Sequence, residues 1–213
     1  MTKWPRVGRA KRRLALDVGR FAARDLARAF LRDTLAVAQA ARPDQTLIVF
    51  APRAARHHFA RLAPRATLVA QPRTGFGPRL AYALGAGIGM SRAVVLIATD
   101  APTLRAASIG EAFESLESGR DLVLGPSDDG GYYLIGCRAP LPPSLFAHMP
   151  WSTAAVLQIT LQRARSLGID VALLEPWYDV DDEVSLGRLR ADAAGLSRAA
   201  HTARALRDLD LIR

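Results

Sequence analysis

Four short segments carry the chemistry that this sequence can do. Asp100 closes a continuous apolar run, AVVLIAT, and is followed by Pro102. Asp128 and Asp129 precede Gly130 and Gly131 between the runs DLVLG and YYLIGC. Asp179, Asp181 and Asp182 follow the run DVALLE, and Arg6, Arg9, Lys11, Arg12 and Arg13 crowd the N-terminus. In an open α/β sheet, ligands bind in the crevice beyond the strand ends, which is where Asp100 would stand. If Asp100 and Asp181 converge there, they form a two-carboxylate site for Mg²⁺ or Mn²⁺, ions that take their remaining ligands from water and substrate phosphates. The basic cluster would then face those phosphates, and a carboxylate such as Asp129 could orient or deprotonate an acceptor hydroxyl. Each residue also has a plain structural role open to it. Asp100 can start a turn, Asp129 can fix a hairpin, Asp182 can cap a helix, and a terminal charge run can be a solvated tail.

The elements that must position these residues alternate along the chain. Leu16 to Ala41 reads as one long helix with Phe21, Leu26, Phe30 and Val37 on an apolar stripe. TLIVFA (46–51) and ATLVA (66–70) read as strands, with a helix over 53–62 between them. A glycine-containing loop from Gln71 leads into a helix beginning near Pro78. The apolar run before Asp100 suits a strand covered on both faces, as in a parallel sheet. A helix through 111–117 follows, then the two strands flanking Gly130 and Gly131, which can take positive φ and allow close approach to the backbone. A helix over 153–167, a strand over 170–175 and a polar helical remainder complete the pattern. Such alternation predicts one α/β domain over residues 1–213, with a mainly parallel sheet and helices on both faces.

Composition narrows the function classes. With 213 residues, half of them hydrophobic, the chain can bury a full core without a staple. Cys137 is the single cysteine and cannot form an internal disulfide; it reads as a small buried hydrophobe in a reducing, cytoplasmic setting. No segment approaches the apolar length of a membrane span. The net charge of +9 raises nucleic acid as a partner, yet the basic residues other than Lys3 and Lys11 are all arginine and are spread along the chain. That bias resembles the output of a GC-rich genome, and no basic stripe is interleaved with aromatics, so nucleic acid is not an expected partner. His57 and His58 read as solvated beside Arg53, Arg56 and Arg61. Trp151 can stack on a ligand or pack in the core, and Tyr132 and Tyr133 must point to opposite faces of their strand.

The order of Gly8-x-x-Lys11-x-Arg13-Leu14, Gly75-x-Gly77-x-Arg79-Leu80, Asp100-x-Pro102, Gly125-Pro126, Asp129-Gly-Gly-Tyr132, Trp151-Ser152 and Asp179-Val-Asp181 resembles one family. It is the arsenosugar-biosynthesis-associated glycosyltransferase family of the GT-A nucleotide-diphospho-sugar transferase superfamily. The resemblance runs from Lys3 to about Leu189 and is specific in combination. It implies a Rossmann-like GT-A fold and a nucleotide or nucleotide-sugar substrate. Gly8, Lys11, Arg13, Gly77, Arg79, Gly130, Gly131 and Tyr132 are then expected at the nucleotide-activated donor, with Asp100 and Asp181 at the metal and Asp129 catalytic beside a small-molecule acceptor. The sequence departs from that pattern in three places. An apolar first strand before the Lys-containing loop is truncated or missing, Arg12 replaces a threonine, and Ala98-Thr99 replaces Gly-Ser. Glycosyl transfer, nucleotidyl transfer to a phosphorylated acceptor, and nucleotide binding without catalysis are the functions this reading leaves open.

Overall fold

The computed structural model describes residues 1–212. Apolar, β-branched runs form its strands in chain order: β1 Thr2–Lys3, β2 Leu47–Ala51, β3 Thr67–Ala70, β4 Val94–Ile97, β5 Leu122–Pro126, β6 Tyr132–Cys137 and β7 Val171–Leu173. The helices among the described residues are α1 Leu14–Val18, α2 Arg20–Ala40, α3 Arg56–Leu62, α4 Phe76–Ile88, α5 Ala106–Glu117, α6 Val156–Ser166, α7 Glu183–Ala191, α8 Ala193–Arg198 and α9 Ala200–Asp208. The first strand is present but only two residues long.

Two hydrogen-bonded sheets result. β1, β2 and β3 are parallel neighbours in that order; the second sheet runs β4, β6, β5, β7. Within the second sheet β4 pairs with β6 antiparallel, as does β5, while β5 and β7 are parallel. The apolar run before Asp100 is therefore not a parallel strand, because its one ladder partner, β6, runs the other way. Helices cover both faces of the second sheet. Leu80, Leu84 and Ala164 of α4 and α6 pack with Leu122, Leu124 and Ile135 on one side. Ile109, Ala112 and Leu116 of α5 pack with Val123, Tyr133 and Leu134 on the other.

The long amino-terminal helix is in fact two. Gly19 takes φ +81, which only glycine adopts at little cost, and it separates α1 from α2. Past that break the predicted stripe is rotated. Leu26 and Phe30 are buried and Val37 packs against the α5 side, but Phe21 is 55% exposed. Inside α2, Asp33 is buried and accepts hydrogen bonds from the backbone N–H groups of His201 and Thr202 at 3.1 and 2.7 Å. It thereby satisfies the open N-terminus of α9, a capping role that a helix-interior carboxylate does not advertise in sequence. Among the described residues no helix is long and apolar enough to cross a membrane.

Candidate active site

Backbone hydrogen bonds stitch three distant loops together where β1, β4 and β7 end. Val180 N–H donates to the Asp100 carbonyl at 2.8 Å, and Leu14 N–H donates to the Asp181 carbonyl at 3.0 Å. The loop after β7 is fixed in turn by α7. Asp182 caps that helix by accepting from Ser185 N–H at 3.0 Å, and Asp181 N–H donates to Ser185 Oγ at 2.9 Å. Asp182 thus has the capping role its position suggested, which leaves Asp181 free to point elsewhere.

Asp181 and Asp100 meet at one point. Lys11 Nζ lies 2.6 Å from Asp100 Oδ1 and 2.7 Å from Asp181 Oδ1, with only 7% of its side chain exposed. Arg13 reaches Asp181 Oδ2 at 2.7 Å from the solvent side. The ammonium is also 5.7 Å from the centre of the Phe30 ring. Burial pulls the Lys11 pKa down, but Asp100 and Asp181 outweigh it and hold it above the usual lysine value. Burial likewise pushes Asp181 up, and Lys11 with Arg13 bring it below the ordinary carboxylate range. Lys11 takes φ +43, a left-handed conformation that is uncommon outside glycine and that the surrounding contacts must impose.

This ion triad floors a cleft of about 340 Å³ whose wall includes Thr2, Trp4, Arg9, Phe76, Arg79 and Thr99. Arg79 stands at the start of α4 with its Nε buried and without a hydrogen-bond partner among the described residues, and its guanidinium lies 5.7 Å from the Phe76 ring centre. An unpartnered guanidinium N–H in a cleft has a use for an anionic oxygen. Arg9 adds a second positive charge to the same wall. Trp4 offers aromatic surface there, although one of its faces is already stacked on His58 at 4.3 Å.

A third carboxylate lies behind the pair. Asp179 Oδ2 accepts from Ser127 Oγ at 2.9 Å, while Oδ1 is buried with no partner among the described residues. Burial first, then the charges of Asp100, Asp129 and Asp181, push its pKa up to about 6. Sequence separated Asp181 from Asp182 correctly but had no means of distinguishing Asp179, since its burial comes from the packing of the 177–180 loop on Ser127.

Of the other predicted site residues, Gly8, Gly77, Asp129, Gly130, Gly131 and Tyr132 do not line this cleft. Gly77 does not line the cleft; it is buried in α4, where an added Cβ would meet the Phe146 carbonyl at 3.0 Å and the Trp151 ring at 3.4 Å. Trp151 accordingly packs, with its ring 4.6 Å from Phe76. Tyr132 is also off the cleft wall, packed against the α4 and α6 core with a buried hydroxyl. Tyr133 enters the core on the opposite face. Gly8 takes φ +70 in the turn before Lys11, so it shapes the loop rather than lining the cavity. In the Asp-Asp-Gly-Gly turn only Gly130 is left-handed, at φ +84; Gly131 is not. Asp128 is paired with Arg188. Asp129 Oδ1 accepts from Gly131 N–H at 2.9 Å, so one oxygen is committed to the turn, as the hairpin role required.

Whether the residues fit a divalent ion is tested by the triad itself. Two carboxylate oxygens already converge on one cation, the Lys11 ammonium. Among the described residues no three His, Cys, Asp or Glu side chains form a metal cluster. The donor set therefore suits an oxygen-seeking ion that completes its shell with water and phosphate, as Mg²⁺ and Mn²⁺ do, and not zinc.

The family model described as "Uncharacterized protein conserved in bacteria (DUF2064)" matches residues 34–153, more than half of the chain. The chain belongs to the DUF2064 family. No curated protein matches the sequence. Among solved structures it is similar to the "putative nucleotide-diphospho-sugar transferase" from Desulfovibrio desulfuricans G20, with 31% identity and a TM-score of 0.87 over 98% of this chain and 92% of that one. Two further structures share the fold at low identity. The inositol-1-phosphate CTP transferase from T. maritima is 14% identical with a TM-score of 0.53, covering 94% of each chain. The manganese complex of Rv0371c from Mycobacterium tuberculosis H37Rv is 19% identical with a TM-score of 0.52, covering 77% of this chain and 86% of that one. The Rossmann-like α/β architecture expected from the strand and helix pattern is thus the one this DUF2064 chain adopts.

Two consequences of the site's electrostatics are measurable. Lys11→Met removes the internal cation that competes for Asp100 and Asp181, so Mn²⁺ affinity without nucleotide should rise by about tenfold, equivalent to ~1.4 kcal/mol. Isothermal titration would show it, and an unchanged affinity would mean that the ammonium does not hold the metal position. Asp179 gives a pH effect. Its folded pKa is raised, so its stabilising contribution is complete below the unfolded carboxylate value and is lost as pH rises through about 6. Asp179→Asn removes that loss. In chelator the variant should gain about 1–3 kcal/mol on the parent between pH 4 and pH 8 in urea unfolding, and parallel curves would rule out the buried ionisation.

Proposed function

We propose that this chain is a metal-dependent transferase of a nucleotide-activated donor, acting as one GT-A-like domain on a small-molecule acceptor, with glycosyl transfer as the leading reaction. The observation that carries the reading is the convergence of Asp100 and Asp181 on a single buried cation at the floor of a cleft walled by Arg9 and Arg79. Similarity to the Desulfovibrio desulfuricans protein supports it across nearly the whole chain. Asp100 and Asp181 would hold Mg²⁺ or Mn²⁺, which supplies neutralisation of charge growing on the leaving phosphate oxygens. The structural relative in complex with manganese agrees with that ion class.

The chain's own residues do the rest. Arg79, whose Nε has no partner among the described residues, and Arg9 would bind and orient the phosphates from the cleft wall, while Lys11 and Arg13 balance the charge of Asp100 and Asp181. Preorganised positive groups of this kind act where charge develops, so they stabilise the transition state more than the bound donor. Gly8 gives the loop its turn, and Gly77 and Tyr132 support the α4 side of the cleft from behind. Asp129 keeps one oxygen, Oδ2, for an acceptor hydroxyl and is assigned as the base. The arsenosugar label of the resembled family corresponds to no contact in this cleft, so the acceptor is specified only as small. The lone buried Cys137, its thiol pushed up to about 12 by burial, suits a cytoplasmic protein.

Nucleotidyl transfer is the second reading, and the Asp129 geometry favours it. A phosphorylated acceptor is already an anion and needs no base, so a carboxylate half committed to Gly131 N–H costs that reaction nothing. The fold shared with a CTP transferase is compatible with it. Thermal-shift measurements against nucleotides and nucleotide sugars, with Mn²⁺ and then with chelator, test the common proposal; a metal-dependent rise in melting temperature for a nucleotide is expected. No shift for any nucleotide in the folded protein would sink it. Released nucleoside diphosphate then identifies glycosyl transfer, and released pyrophosphate identifies nucleotidyl transfer.

A further inference from the structure

The turn that carries Asp129 and the loop that carries Asp179 and Asp181 are joined along their backbones. Asp128 N–H donates to the Trp177 carbonyl at 3.1 Å, Trp177 N–H donates to the Pro126 carbonyl at 2.9 Å, and Ser127 Oγ holds Asp179. One side chain spans the seam. Arg188 of α7 pairs through Nη1 with Asp128 Oδ2, the one ion pair that the 127–131 turn makes among the described residues. Its guanidinium carbon lies 4.2 Å from the centre of the Tyr178 ring. The helix explains its place. Ser185, whose Oγ takes the Asp181 N–H, is three residues earlier and so on the same face of α7.

Little of this pairing serves the fold. The Arg188 and Asp128 side chains are 53% and 48% exposed, and ion pairs so open to water contribute about 0–1 kcal/mol. The ring beneath the guanidinium is nevertheless fixed. Tyr178 is buried, and its hydroxyl donates to Asp192 Oδ2 at 2.7 Å and accepts from Thr103 Oγ1 at 3.0 Å. A guanidinium stacked on a rigid ring keeps its plane, and its fork of N–H donors matches the oxygens of an oxyanion. Only Nη1 is engaged; Nε and Nη2 have no partner among the described residues. Arg188 is not part of the cleft wall that holds Arg9 and Arg79, so its fork is separate from the groups assigned to the donor phosphates.

We propose that Arg188 recognises the acceptor and that the acceptor is a phosphate monoester. The inference rests on the nucleotidyl reading of the site. An oxyanion held by a pair of arginine N–H groups commits a pair of its oxygens. A carboxylate then has none left to react, whereas a phosphate monoester keeps one more terminal oxygen. That oxygen attacks the α-phosphorus of a nucleoside triphosphate. A P–O bond forms, the bond from the α-phosphorus to the α–β bridging oxygen breaks, and pyrophosphate leaves with the electron pair. The attacking oxygen carries no proton, so nothing is asked of Asp129 as a base, and its commitment to Gly131 N–H is no obstacle. Asp128 keeps the fork at the turn by engaging Nη1, and its charge makes anion binding weaker than the fork alone would give.

The test follows the Nε–H resonance of Arg188, recognised by its loss in Arg188→Lys, while methyl phosphate or acetate is added to the full chain without nucleotide or metal. Methyl phosphate should shift it saturably, with an affinity at least about tenfold above that of acetate. The same response is expected in Arg79→Gln, where the cleft wall has lost its guanidinium. Asp128→Asn should tighten methyl phosphate by about threefold or more, since the repelling charge is gone while the backbone bond to Trp177 stays. Absence of a saturable shift overturns the proposal. So does a shift that disappears in Arg79→Gln, which places the phosphate in the donor cleft. Equal affinities for methyl phosphate and acetate overturn the substrate class, and an unchanged affinity in Asp128→Asn puts the phosphate away from Arg188. Because the titration contains neither nucleotide nor metal, its failure is distinct from a failure of the donor reading, which the thermal-shift measurement reports.

Discussion

Replacing Asp100 or Asp181 with alanine is expected to reduce metal-dependent nucleotide affinity by at least about a hundredfold, or ~2.7 kcal/mol, with each variant still folded. Both carboxylates reach the Lys11 ammonium from loops whose backbones are held independently, through Val180 N–H on Asp100 and Leu14 N–H on Asp181. Loss of either side chain therefore leaves the loops in place and removes half of the protein's ligands for the ion. A secondary stability loss is expected because Lys11, buried, then keeps one counter-charge instead of two; breaking a buried pair costs about 3–5 kcal/mol at the upper end. Asp100→Asn and Asp181→Asn retain the shape and separate the two effects. Calorimetric Mn²⁺ titration with nucleotide present reads the affinity, and circular dichroism reads the fold. If both alanine variants bind as the parent does in Mn²⁺ and remain chelator-sensitive, the metal site lies elsewhere.

Gly130→Ala should destabilise the protein by about 3 kcal/mol or more, from backbone strain and overlap together. Gly130 has φ +84, and a Cβ there would overlap the Ala154 backbone, with the Ala154 carbonyl carbon at 2.6 Å. The turn cannot drift away, because Leu157 N–H bonds the Gly130 carbonyl at 2.8 Å and Asp128 N–H bonds Trp177 O at 3.1 Å. For a chain of this size the melting temperature should fall by roughly 6–12 °C. Gly131→Ala is the internal control. Its Cβ would meet only the end of the Asp129 side chain at 3.1 Å, and its backbone is not left-handed, so about 1 kcal/mol or less is expected. Equal losses from the two variants would show that the turn relaxes and that Gly130 is not demanded by its fit against Ala154. Because Ser127 leads into this turn and holds Asp179, Gly130→Ala should also loosen the acid cluster, visible as a weaker pH dependence of unfolding.

Much of the candidate site was legible because acids at the ends of apolar runs have few ways to be placed. Asp100 and Asp181 were separable from their neighbours by elimination, since Asp182 precedes a helix and caps it. Other residues were misplaced for reasons that no periodicity contains. Gly77 and Tyr132 fell within motifs, but the approach of Trp151 to α4 and the packing of β6 against α4 and α6 turned them into supports. The single long helix failed at Gly19, because one glycine inside a strong apolar stripe is an ordinary sight, and only the turn toward α2 demanded its positive φ.

By itself the sequence determined the elements, their α/β order and the residue types available for a cation and phosphates, because burial periodicity and strand-end acids are local properties of the chain. Only the tertiary structure decided which strands pair and that Lys11 closes the two carboxylates into one buried triad. Those facts depend on contacts between segments up to 170 residues apart. The free energy that selects such contacts comes from desolvation and from pairing across the assembled sheet edges, quantities that do not exist until the edges are brought together.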